Sequence, residues 1–158
     1  MKLILSLLFS SLTLCYCSVL EVNYEKLALA VQQEAAKEIS QKYHLDPIGF
    51  GGGMIDQINC MSLMFSCQEN IDMDVAHEIL HGAADLFLEK VNNSDTIRPY
   101  LSKYPADLEN IEIIIYPGKK YDSPNEKPIR AMSIHDNRLH FLTPQGSKFE
   151  KFELSHAS

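Results

Sequence analysis

Residues 77–81 read His-Glu-Ile-Leu-His. Histidines four apart on a helix lie one above the other, so both imidazoles can bind one zinc ion. A glutamate between them can hold the metal-bound water and take its proton. Catalytic zinc also needs a third protein ligand and an open position. The sequence offers Glu109, Glu112, His135 and His140 for that third place. Weaker chemistry lies elsewhere. Cys60 or Cys67 with His77 or His135 supplies the residue types of a thiol nucleophile pair, although a buried, inert thiol is the commoner use of such a cysteine. Ile48 to Met54 holds glycines at 49, 51, 52 and 53, which free the backbone to cradle an anion. Phosphate-binding loops follow a strand and open a helix, however, and here a helix precedes and a strand follows. A tight connector is the expected reading. Asn92-Asn93-Ser94 fits an N-glycosylation acceptor in a eukaryotic setting.

Patterning places these residues. Asn23 caps a helix to about Tyr43, with Leu27, Ala30, Val31, Ala35 and Ile39 at helical spacing. Gln57 to Ser66 reads as a largely buried strand. Asp72 or Asp74 caps a second helix to about Val91, whose stripe runs through Val75, Ala76, Ile79, Leu80, Ala83, Leu86, Phe87 and Val91. Strands are expected at 111–116, 129–135, 139–143 and 149–154, the last three joined by tight turns. The fold class that follows is α+β, with two helices packed on one face of an antiparallel sheet of about four to five strands. Cys60 and Cys67 sit at opposite ends of one extended segment, roughly 23 Å apart. A disulfide needs that segment to bend, and two free thiols are the other reading.

The helical wheel bears on the histidines. The apolar stripe centres near Ala76, Ala83 and Phe87, and His77 and His81 lie roughly 120–160° from it. That is the solvent face unless another element covers it. There His81 can pair weakly with Asp85 and His77 with Asp74.

In its setting, Val75-Ala76-His77-Glu78-Ile79-Leu80-His81-Gly82 resembles the active-site helix of zinc metallopeptidases. The resemblance implies His77 and His81 as metal ligands and Glu78 as the catalytic general base, and it covers eight residues. A second resemblance covers more of the chain. Gly51-Gly52-Gly53-Met54, a strand, a helix from about Ala76, Asn92-Asn93, Ile97-Arg98-Pro99-Tyr100-Leu101 and Tyr104-Pro105 before a strand look like a group of small exported bacterial proteins. It implies an envelope or secreted location and nothing about chemistry.

Location has its own signal. Met1-Lys2 precedes an apolar run from Leu3 to Leu14, then Cys15-Tyr16-Cys17. The run is shorter than the about 20 residues that span a bilayer, and it fits a secretory signal peptide at 1–17. Lipidation at Cys15 or Cys17 is the less favoured processing, because a large residue precedes each. One monomeric α+β domain over 18–155 and a frayed tail at 156–158 are expected, with no membrane span after cleavage and a periplasmic or extracellular location. The chain has 158 residues, 46% apolar and 22% charged, which excludes wholesale disorder. A net charge of −7 and the absence of tryptophan give no footprint for nucleic acid. The function expected is binding or interaction, with a protein partner and no cofactor. The alternative is a small zinc-dependent hydrolase built on His77, Glu78 and His81.

Overall fold

The structure, a computed structural model, describes residues 23–118 and 129–151. The expected leader at 1–17, most of the polar loop after Gly118 and the tail at 156–158 lie outside the described residues.

Helix α1 runs Tyr24–Tyr43. Asn23 starts it, its side chain accepting a hydrogen bond from the Lys26 amide at 3.0 Å. His44 ends it in the left-handed conformation. Strand β1 (Asp46–Gly53) and strand β2 (Cys60–Ser66) follow. Helix α2 spans Met73–Asn93, and of its two candidate caps it is Asp72 that accepts from the Val75 amide, at 2.9 Å. Strands β3 (Ile111–Tyr116), β4 (Ala131–His135), β5 (Arg138–Thr143) and β6 (Gly146–Lys151) complete the described chain.

These strands form one six-stranded sheet in the order β1-β2-β3-β4-β5-β6. All neighbours are antiparallel except β2 and β3, which run parallel because α2 carries the chain across between them. The α+β architecture is as expected, but the sheet has six strands rather than about four to five. The extra strand is β1. Its glycines suggested a connector, yet they pair with β2 from Asp46↔Ser66 to Gly53↔Cys60. Gln32 holds them there. Its side chain is buried on α1 and donates to the Gly51 carbonyl at 2.7 Å and the Ser62 carbonyl at 2.9 Å. A backbone ladder plus a side-chain clamp outweighs the poor strand propensity of glycine.

One sheet face carries Met61, Leu63, Phe65, Ile111, Ile113, Ile115, Met132, Ile134, Leu139 and Phe141, all buried. Both helices pack on this face, and α1 also packs on α2. At that helix crossing sits Gly82, where a Cβ would overlap the Tyr43 hydroxyl. Thus the glycine after His81 has a packing reason that needs no metal. The other face carries alternate residues, among them Ser62, Glu112, Ser133, His135 and His140. No helix among the described residues is long and apolar enough to cross a membrane.

Candidate functional site

The histidine motif sits on α2 where β5 and β6 extend past the core. Phe141 is buried on β5, and its ring centroid lies 5.0 Å from that of His77. Glu150 shares the helix-side face of β6, since it pairs with Leu139, and its Oε2 lies 3.1 Å from His77 Nε2. The expected wet face is therefore partly covered. His77 and His81 are half-buried, and Leu88 on the same flank is buried. The wheel gave the correct rotation away from Ala76, Ala83 and Phe87, but the sheet reaches further round the helix than the stripe implied. His77 pairs with Glu150 rather than Asp74.

Two features decide what this cluster can do. First, the donors: His77 Nε2 faces Glu150, and Glu150 also bonds Lys148. The His77 and His81 rings stand 6.4 Å apart, and Glu78 is exposed. Second, Glu112, His135 and His140 lie on the opposite face of the sheet, with the core strands between them and α2. Glu109 lies in the short turn Leu108–Asn110, accepting from Asn137 at 3.4 Å. None of the four expected third donors is brought to the pair. Among the described residues no three His, Cys, Asp or Glu side chains are placed to hold a metal ion. The acidic neighbour that the sheet supplies to His77, Glu150, was hidden in the sequence because its position depends on the register of β6.

Burial and the nearby His77 hold the His81 imidazole below its ordinary pKa, against the pull of Asp85. The folded chain thus binds fewer protons at His81 than the unfolded chain as pH falls below about 6.5, and stability drops in that window. Wild type is expected to lose melting temperature between about pH 7 and pH 5.5, and His81→Gln to flatten that slope. Thermal scans at several pH values check it. Glu150 acts in a separate, more acidic window. Lys148 holds its carboxyl below the usual range, and His77 adds to this, so that contribution disappears as pH falls below about 4.5.

The open face holds a second cluster. Ser62 Oγ donates to Glu112 Oε2 at 2.8 Å, and Glu112 Oε1 lies 3.6 Å from His135 Nδ1. Nucleophilic triads place the imidazole against the hydroxyl. Here the carboxylate takes that position, so His135 is not placed to receive the Ser62 proton. Burial and the Glu112 charge push the neighbouring Cys60 thiol up, which keeps it protonated. Cys67 is buried and donates to the Glu69 carbonyl at 3.3 Å. Both thiols are free, one at each end of the straight β2 segment.

Asn92 has a structural task. Its Nδ2 donates to the Ala106 carbonyl at 3.0 Å and its Oδ1 accepts from the Ala106 amide at 2.7 Å. The nitrogen a glycan would take is already engaged. Asn92→Ala leaves both groups of buried Ala106 unpaired, and a loss of about 2 kcal/mol is expected. Urea unfolding measures it, with a lower midpoint at an unchanged slope.

The third feature is the sheet edge. Among the described residues, strand β1 is paired only on its β2 side. Beyond Asp46 it carries no charged side chain, and glycine occupies four of its eight positions. Phe50, opposite Leu63, faces the helix side, and half-exposed Leu29 of α1 stands near it. Leu29, Phe50, Met54 and Ile55, with Glu25 at the rim, line a hollow of about 340 Å³ along this edge. Ile55 is 88% exposed. The opposite edge, β6, carries Lys148 and Glu150. Compared with known families, curated proteins and solved structures, the chain has no match.

Proposed function

We propose that this chain is an exported, non-enzymatic binding domain that captures an extended segment of another protein by adding it as a strand along β1. Export is supported by Lys2 followed by the apolar run Leu3–Leu14. The observation that carries the binding reading is β1 itself. An edge strand presents a row of backbone donors and acceptors, and proteins normally guard such rows with charges, bulges or covering elements. A bulge between Pro47 and Gly49 guards only the first half of β1. From Phe50 to Gly53 three of the four residues are glycine, and the segment is exposed or half-buried. Strand addition draws affinity from main-chain hydrogen bonds and selectivity from pockets for alternate side chains. The hollow beside Leu29 and Phe50 supplies one such pocket.

The test titrates a labelled alternating hexapeptide into the protein, in parallel with the same peptide carrying methyl groups on alternate backbone nitrogens. Losing two or three backbone bonds is expected to weaken binding roughly tenfold or more. Equal binding of the two peptides contradicts strand addition. The zinc-hydrolase alternative has its own decisive result. Stoichiometric zinc in the purified chain, lost in a His77→Ala, His81→Ala double variant, replaces the binding reading with a metal-centred one.

A further inference from the structure

We infer that the segment β1 receives is cationic, with aliphatic residues alternating with Lys or Arg; this rests on the strand-addition reading. Charge along this edge sets the preference. From Asp46 to Ser66 the sequence has two Asp residues and no Lys or Arg. That stretch contains β1, its hairpin to β2 and all of β2. Asp46 opens the strand, Asp56 lies just past its end, and Glu25 stands at the rim of the hollow. All three are exposed, and none forms an ion pair with a described residue. An arriving strand thus meets an apolar hollow between unneutralised carboxylates. Aliphatic side chains on its helix side can enter the hollow between Leu29 and Phe50, while basic side chains reach the carboxylates at either end. Complementary potentials steer encounter and penalise like-charged partners. The same charges argue against a second copy of this chain as the occupant, because two β1 edges would bring Asp46 and Asp56 of both copies together at a net charge of −7 each.

The probes are fluorescein-labelled Lys-Val-Lys-Val-Lys-Val and Glu-Val-Glu-Val-Glu-Val, read by anisotropy against the full chain. The lysine peptide is expected to bind at least about tenfold tighter, and raising salt from about 50 mM to about 500 mM is expected to erase most of the difference. Glu25→Lys, at an exposed helix position, is expected to narrow the preference several-fold without changing the fold. Equal affinity for the two peptides, with both weakened by backbone methylation, overturns the cationic preference and leaves strand addition standing. Binding by neither, or binding indifferent to methylation, overturns strand addition and this inference with it. Sedimentation gives the remaining arm. A dimer in wild type that disappears in Gly51→Lys makes a second copy the occupant and overturns the inference. The added side chain there has room, since a Cβ at Gly51 meets only the Ser62 Cβ at 3.8 Å.

Discussion

A Phe141→Ala chain is expected to lose about 3–5 kcal/mol of stability, the range for truncating a fully buried aromatic side chain. Phe141 is 0% exposed. It lies on β5 between the core and the flank of α2, where its ring meets His77. The neighbours cannot close the gap, because Met132 and Lys148 are fixed across the ladder on either side of it. Two consequences separate this loss from a generic core defect. The melting temperature falls by about 10 °C or more. His77 also loses the neighbouring aromatic ring, so the NMR chemical shifts of its ring protons are expected to move. Phe141→Leu keeps most of the volume and is expected to lose only a fraction of this amount. A Phe141→Ala chain as stable as wild type would mean that β5 does not cover α2 as described.

Gly52→Ala carries the second large effect, about 3 kcal/mol. Gly52 has φ of +151°, a region that side chains rarely adopt, and a Cβ there would overlap the carbonyl oxygen of Cys60. The clash is with backbone, so no rotamer relieves it. The paired strands must part at Gly52↔Met61, beside the Gln32 clamp on Gly51. Gly51→Ala, one residue away, meets nothing closer than ordinary contact and is expected to cost much less. Denaturant midpoints for the two variants make the comparison. Because Gly52 shapes the docking edge, its replacement is also expected to weaken peptide capture more than the stability loss alone explains.

The helices were legible from the sequence because apolar spacing and caps agree. Asn23, Asp72 and the Ala-rich stripes all point to the same two segments, and α2 runs two residues beyond its expected end at Val91. Strands β3, β4 and β5 were legible too, since Ile111–Tyr116 is rich in β-branched residues and the tight turn at Asp136-Asn137 separates β4 from β5. Strand β1 was not. Glycine bears no pattern, and its strand character comes from Gln32 and from β2, both remote in sequence. The parallel pairing of β2 with β3 was missed too, because nothing local to either strand records the crossing by α2. At the histidine motif the wheel gave the rotation of α2, and only the register of β6 could reveal Glu150 beside His77. The features read from spacing alone were therefore those in which each residue's neighbour is local. The edge strand and the acidic neighbour depend on contacts made across the sheet.

Backbone amide exchange, with and without the lysine–valine hexapeptide, tests the docking edge most directly. Added along β1, the peptide should slow exchange at least about tenfold at alternate amides between Ile48 and Gly53, while β6 stays unchanged. Protection that appears along Gly146–Lys151 instead, or on neither edge at saturating peptide, contradicts the account.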